Sequence, residues 1–320
     1  MPAKTKFEIK EGPATREAFG RALVELGREN KDIVVCDADL AKSTMTVYFQ
    51  KEFPDRFVSC GIAEANMVGI GAGLAHSGKI PFVSSFSVFV INKGYEQLRV
   101  GVAYPHANVK VVGTHSGISI GEDGPSQMSI EEISLACSLP GFVVMSPADE
   151  AATKALVRAA AAYVGPVFIR TGRPKAPIIY SADQKFEIGK AIEIAEGKDV
   201  AIIANGLLVA QALLAADTLE GEGISARVID MHTVKPLDRD AIRRAAETGA
   251  IVVAEEHLAS AGMGVRVAQA VAEIHPCPME FVGIQDTFAE SGQPQELLEK
   301  YGLMAHNIVD AVKKVVARKR

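Results

Sequence analysis

A single carboxylate stands in a run of small and apolar residues, Gly61-Ile62-Ala63-Glu64-Ala65-Asn66-Met67-Val68-Gly69-Ile70-Gly71-Ala72-Gly73-Leu74-Ala75. Ile62, Met67, Ile70 and Leu74 fall at roughly helical spacing. Glycines within a helix cost about 1 kcal/mol each against alanine, which points to close approach of another backbone or of a ligand. Glu64 loses hydration among such neighbours, and burial favours the protonated acid. A carboxyl near neutrality can share a proton with a weakly basic nitrogen. The plainer reading is that Glu64 opens a helix, where the dipole favours an acid. Four other side chains, Arg16, Ser43, His115 and Arg170, suit a phosphate. Arginine forks match phosphate oxygens bidentately, and serine and histidine add donors. Taken singly, a surface arginine is more often a solvated charge or a weak ion pair.

The elements that must position these groups alternate. The spacing predicts a helix over Thr15 to Glu29, with Thr15 as its cap. Ile33 to Cys36 reads as a buried strand ending in Asp37-Ala38-Asp39-Leu40, acids at the carboxyl end of a strand, where open α/β sheets bind ligands. Arg56 to Cys60, Ile80 to Ser85, Val109 to Gly113, Phe142 to Met145 and Pro166 to Arg170 read as further strands, the last delivering Arg170 to a rim. Tyr95 to Val102 and Asp149 to Ala162 read as helices. Between Thr114 and Pro125 runs a long glycine-rich loop, and ordered loops at strand ends are often functional. It is not a Walker loop, because no Gly-Lys-Ser/Thr follows. Residues 171–186 are rich in proline and polar residues and read as a linker. A second alternation follows, with strands at Val200 to Ala204, Ala226 to Asp230, Ala250 to Glu255 and Met279 to Gly283. Helices fall around Leu208 to Leu219, Asp238 to Thr248 and Gly262 to Ile274. The expectation is an α/β protein of two domains, residues 1–185 and 187–320, each a mainly parallel sheet flanked by helices.

Composition narrows the function classes. A chain of 320 residues suits two cores rather than one. Net charge is −5, so there is no basic footprint for nucleic acid. Lys313-Lys314 and Arg318-Lys319-Arg320 read as a solvated helix end. Cys36, Cys60, Cys137 and Cys277 form no C-x-x-C pair, which argues against a zinc knuckle or redox motif and for a reducing cytoplasm. Met1 to Glu8 carries no apolar core of a secretion signal. The longest apolar reach, Val200 to Ala216, is broken by Asn205, Gly206 and Gln211, so no membrane span is expected.

The Gly61-Ile62-Ala63-Glu64-Ala65-Asn66-Met67 segment resembles the cofactor-activating segment of the thiamine-diphosphate enzymes of the transketolase family. There the glutamate hydrogen-bonds the pyrimidine ring nitrogen of the cofactor. The resemblance covers nearly the whole chain, but only the C-terminal half of a transketolase. It implies a pyrimidine-binding fold followed by a transketolase C-terminal domain. Ala14-Thr15-Arg16 is similar to a phosphate-binding segment, and Ala38-Asp39-Leu40 with Ser43 to one whose aspartate lies at the cofactor and whose serine binds substrate phosphate. Thr114-His115, followed by Gly121-Glu122-Asp123-Gly124-Pro125, is the closest match. It implies that His115 binds phosphate and Asp123 a sugar hydroxyl. Arg170 matches the last phosphate-binding arginine, and Phe86 and Phe89 match the aromatic walls around the pyrimidine. The family's third aromatic is Asn92 here, and the histidine after Gly-Pro-Thr is Gln127, which can bond a hydroxyl but carries no proton. Glu255-Glu256-His257 and Gly262-Met263-Gly264 resemble segments of the C-terminal domain that carry no catalytic group, and His257 reads as structural.

Family members bind the diphosphate through Mg²⁺ with a Gly-Asp-Gly segment and a later Asn-Asn pair, and this sequence has neither. The resemblance therefore implies one subunit of a split transketolase. Thiamine diphosphate and Mg²⁺ would be shared with an N-terminal partner subunit that ligates the metal, in a two-fold heterotetramer. The reaction implied is transfer of a two-carbon ketol unit between phosphorylated ketose and aldose. Other readings are the beta subunit of a 2-oxoacid dehydrogenase component, a transketolase for an unusual phosphosugar, and a non-catalytic orphan subunit. Deoxyxylulose-phosphate synthase, normally one long chain, is a nearer relation in chemistry.

Overall fold

The computed structural model describes residues 7–319. Met1–Lys6, most of the stretch read for a secretion signal, and Arg320, the last residue of the basic tail, lie outside them. The described strands are β1 (Glu11–Ala14), β2 (Ile33–Asp37), β3 (Phe57–Ser59), β4 (Ile80–Phe86), β5 (Lys110–Thr114), β6 (Val143–Met145), β7 (Val167–Arg170), β8 (Lys175–Pro177), β9 (Ile192–Ala195), β10 (Val200–Ala204), β11 (Ala226–Asp230), β12 (Thr233–Lys235), β13 (Ile251–Leu258) and β14 (Met279–Ile284).

Two mainly parallel sheets form, each flanked by helices, so the fold is α/β with two domains. The first has the order β12-β6-β7-β5-β4-β2-β3 and is parallel except for β12. Its central strands are buried throughout and apolar along their middles, as a sheet covered on both faces requires. The second has the order β14-β13-β10-β11-β9, with β9 antiparallel. β12 leaves the second domain and pairs with β6 of the first, in the register Thr233 to Met145. Across the expected linker, β8 pairs back onto β1. Short strands such as these carry too few residues for a periodic signal.

Local chemistry explains several departures from expectation. The helix Thr15–Glu29 forms as expected, but Ala14 is its cap residue and no side chain caps it. Thr15 Oγ1 instead accepts the Gly172 N–H at 2.8 Å, tying the helix start to the segment after β7. The helix of Tyr95 continues as a π-helical stretch, Leu98–Ala103. Asp149 caps the helix Glu150–Ala162 by accepting the Ala152 N–H. Two helices close the chain: Pro294–Lys300, which the sequence reading did not place, and Ala305–Val316, of which it read only the basic end. The basic residues at its end are paired as well as solvated, Lys313 with Glu222 and Lys314 with Glu280 at 2.8 and 2.7 Å.

Candidate active site

The functional candidates of the first domain gather where strands end. The carboxyl ends of β2, β3, β4 and β5 lie side by side in the sheet, and they lead into Asp39, Glu64, Phe86 and His115 respectively. This is the edge where parallel α/β sheets bind ligands.

Glu64 is the first residue of the helix Glu64–His76 and is 3% exposed. The buried stripe of that helix is Glu64, Met67, Val68, Gly71 and Ala72. Ile62 lies outside it and is 78% exposed, so it is not part of the apolar stripe read from spacing. The close approach of a backbone or ligand expected of these glycines is not seen; Gly71 instead makes room for a side chain, since a Cβ there would sit 2.6 Å from a Val83 methyl. Gly69 and Gly73 face open space. Both carboxylate oxygens of Glu64 face Lys93 Nζ, at 3.2 and 3.3 Å. The same ammonium lies 4.3 Å from the centre of the Phe89 ring.

From Phe89 a continuous line of rings and cations runs across the rim. Phe89 stacks on Phe86 with 5.6 Å between centroids and 11° between planes. Phe86 stacks on His115 at 3.8 Å. His115 Nε2 lies 3.3 Å from an Arg16 guanidinium nitrogen, which also donates to the Ser43 carbonyl at 2.8 Å. An arginine only donates, so Nε2 accepts and the proton sits on Nδ1, which donates to Thr114 Oγ1 at 2.9 Å. Burial first, then the nearby Arg16 and Arg173 cations, hold the imidazole down to about 3, so it is neutral at physiological pH. His115 also has φ 57°, a left-handed backbone unusual for a residue with a Cβ.

The Asp39 loop is held by its neighbour. Asp37, buried at the end of β2, accepts from the Leu40 N–H at 2.6 Å, Thr44 Oγ1 at 2.7 Å and Thr46 Oγ1 at 3.0 Å. That leaves Asp39 exposed at φ 66°, beside Ser43 in an open depression of about 460 Å³. The sequence reading named Asp37 among the acids at the strand end but gave it no separate role, although its Asx-type bond to Leu40 is a recognisable turn signal.

The arginine at the end of β7 is in a different place from the one expected. Arg170 is 5% exposed, and its Nε donates to Glu132 at 2.5 Å while another nitrogen donates to the Glu256 carbonyl at 2.8 Å. It faces the second domain, not the rim. Arg173, three residues on, takes the position at the rim: it donates to the Ile120 carbonyl and to Glu122 at 3.0 Å, and lies 3.7 Å from Asp123. Its charge reaches both Arg16 and His115. Sequence reasoning missed Arg173 because it lay in the stretch taken as linker. Gln127 is half-buried, and among the described residues its side chain has no hydrogen-bond partner. Arg16 Nε is likewise buried without a partner, a donor left over for an anion.

The loop between β5 and Glu132 is clamped by the second domain. Glu256 accepts the Ser119 N–H at 2.6 Å, and a Cβ on Gly117 would meet that carboxylate at 2.2 Å. His257 is fully buried at the same junction, 3.9 Å from Glu132, with Nδ1 donating to the Leu258 carbonyl.

Residues 11–178 match the transketolase pyrimidine-binding domain and residues 189–308 the transketolase C-terminal domain. The chain belongs to the transketolase family. A protein of Methanocaldococcus jannaschii described as a transketolase C-terminal section is 42% identical over 307 residues, 93% of this chain and 96% of that one. A 6-deoxy-6-sulfo-D-fructose transketolase subunit of Clostridium sp. is also 42% identical, over 98% of each chain. The solved structure of a split gene transketolase, described as an inactive beta4 tetramer, superposes with a TM-score of 0.91 at 49% identity, covering 97% of this chain and all of that one. Transketolase membership makes the chain part of a transferase family and implies thiamine diphosphate as the cofactor. Among the described residues no helix is long and apolar enough to cross a membrane.

Proposed function

We propose that this chain is the C-terminal subunit of a split transketolase, moving a two-carbon ketol unit between a phosphorylated ketose and an aldose. Residues 1–185 would form its pyrimidine-binding domain and residues 187–320 its C-terminal domain. The observation that carries the reading is the line from Glu64 through Lys93, Phe89, Phe86 and His115 to Arg16, with Arg173 beside it. It joins a buried carboxylate and two stacked apolar rings to an anion-binding end.

The residues fit the cofactor's pyrimidine. A buried carboxyl at a helix start beside an aromatic face suits an aminopyrimidine, whose ring nitrogen would accept from the acid and whose face would lie on the ring; Lys93 occupies that ground in this structure. Thiamine diphosphate, when bound, supplies the carbon nucleophile that attacks the ketose carbonyl. Glu64 would hydrogen-bond the pyrimidine ring nitrogen, Phe86 and Phe89 would exclude water from it, and Asp39 would lie at its edge. Arg16, Ser43, His115 and Arg173 would hold the sugar's terminal phosphate. We assign that role to Arg173 in place of Arg170, whose side chain is committed to Glu132. His115 must shift its proton to Nε2 to donate to a phosphate, an exchange that Arg16 favours once its own nitrogen turns from Nε2 to the anion. Asp123 and Gln127 would take hydroxyls closer to the reacting carbon.

Mg²⁺ and the diphosphate would fall to an N-terminal partner subunit, because this sequence has no Gly-Asp-Gly or Asn-Asn segment. We infer a two-fold heterotetramer in the cytoplasm, a setting that suits the four unpaired thiols. The Arg16 and Arg173 pair favours an anion-ended sugar over a 2-oxoacid. The relative named for 6-deoxy-6-sulfo-D-fructose makes a sulfonated sugar the second candidate.

The test mixes this chain with its partner subunit, thiamine diphosphate and Mg²⁺, and follows two-carbon transfer from xylulose 5-phosphate to ribose 5-phosphate, with each chain alone as control. Activity in the mixture and in neither chain alone is expected. Transfer only from 6-deoxy-6-sulfo-D-fructose would move the substrate assignment. Decarboxylation of a 2-oxoacid without any sugar transfer would overturn it.

A further inference from the structure

Lys93 occupies ground that the proposed function gives to the cofactor. Its ammonium touches both oxygens of Glu64 and lies over the ring of Phe89. These are the two surfaces that the pyrimidine would use, one for its ring nitrogen and one for its face. We propose that Lys93 is a built-in placeholder in the pyrimidine slot, neutralising Glu64 until the cofactor arrives and leaving the slot when it binds. The inference rests on the function proposed above and adds a residue that it does not require.

Three observations fix the geometry. First, Glu64 is 3% exposed, and a carboxylate so buried needs a charged or hydrogen-bonded partner. Among the described residues Lys93 is the only side chain bonded to it. Second, the backbone of Lys93 is held while its side chain borders solvent. Its N–H donates to the Phe89 carbonyl at 3.0 Å, and the chain turns at Gly94, where a Cβ would sit 2.6 Å from the Val90 carbonyl oxygen. The side chain itself is 50% exposed, so withdrawal returns the ammonium to water without unfolding anything. Third, the neighbouring position leaves room. Asn92 is turned away, its amide donating to Glu131 at 2.8 Å, so no side chain from that position covers the Phe89 and Glu64 surfaces.

The physical consequence is a competition. The ammonium and the pyrimidine claim the same carboxyl group and the same ring face: Lys93 donates to Glu64 and lies over Phe89, whereas the pyrimidine's ring nitrogen would accept from the Glu64 carboxyl and its face would lie against that ring. Both cannot be there together. Each cofactor molecule therefore binds only the fraction of sites from which Lys93 has swung out, and the apparent affinity is reduced by that fraction. Removing the charge while keeping the length of the side chain removes the competitor.

The experiment uses the apo complex of this chain with its partner subunit, in Mg²⁺. Thiamine diphosphate binding is measured by calorimetry, and its rate by stopped-flow circular dichroism, for the wild type, Lys93→Met and Lys93→Arg. Lys93→Met is expected to bind about tenfold faster and correspondingly tighter, and Lys93→Arg to behave like the wild type. Thermal melting of each variant chain establishes that it is folded. Identical rates and affinities for wild type and Lys93→Met overturn the placeholder and leave the function intact. Weaker binding by Lys93→Met also overturns it, because Lys93 would then be helping to hold the cofactor. Absence of binding by all three folded proteins overturns the function itself, and the placeholder with it.

Discussion

The carboxyl-terminal edges of the two sheets both carry polar residues, but only the first leaves some of them open to a ligand. On the seven-stranded sheet, Glu64 and His115 are buried, yet Asp39, Asp123 and Lys93 are exposed and Arg16 and Gln127 are half-buried, around ground that a ligand can enter. On the five-stranded sheet, Asn205, Asp230, Glu255, Glu256 and His257 are all buried. What differs is the surface opposite. The second edge faces the loop after β5 and the end of β7 of the first domain, through Glu256 with Ser119 and Arg170 with Glu256. A strand end rich in acids and histidine is therefore a site in one domain and a joint in the other. Residue type alone does not separate them. Openness does.

Three experiments bear on that contrast. The largest effect is expected at the open edge: Glu64→Ala in the reconstituted complex should lower turnover by about 10²-fold or more while the complex still elutes as one assembly. Unchanged turnover would remove the open edge's claim to be the site.

Two arginines three residues apart then separate joint from site. Arg170→Met leaves Glu132 buried without its cation, and breaking such a pair costs about 3–5 kcal/mol. The expected result is a markedly lower urea midpoint. Arg173→Ala should leave that midpoint nearly unchanged and raise KM for the phosphosugar about tenfold or more, the weight of a charged hydrogen bond of about 1.5–3 kcal/mol. The opposite pattern would reassign both residues.

The last test is a pH slope at the closed edge of the second sheet. Burial pushes the Asp230 carboxyl up to about 7, with Tyr180 Oη donating to it at 2.7 Å. The folded state then binds its proton more tightly than the unfolded chain, so stability falls as pH rises from about 4 to about 7, by at most about 4 kcal/mol. Asp230→Asn should flatten that slope in urea melts taken across this range. A slope of equal size in the variant would place the titration elsewhere.

Much of this was legible in the chain. Ten strands announce themselves as short apolar runs between turn residues, and the Asp39, Glu64 and His115 segments fall at their ends, where a parallel sheet must present them. What was hidden depended on distance along the chain. Arg170 is claimed by Glu132 and Glu256, 38 and 86 residues away, and no local pattern records that. Arg173 reaches the rim only because β8 folds the supposed linker back against β1. Thr15 reads as a helix cap, yet its hydroxyl is drawn to Gly172. Lys93 follows an asparagine where the resemblance leads one to look for an aromatic, so attention went to the missing ring and not to the cation beside it.

The crossing of β12 into the first sheet has a consequence for how the molecule can be cut. A protease that nicks the chain near residues 181–187 would sever a single covalent connection, while Thr233–Lys235 stays hydrogen-bonded to β6 and Lys235 Nζ stays bonded to the Cys137 and Leu139 carbonyls. The two fragments should remain together as one particle and melt together. The halves of this chain are woven, not hinged, and neither would make a sound stand-alone building block for a chimaera.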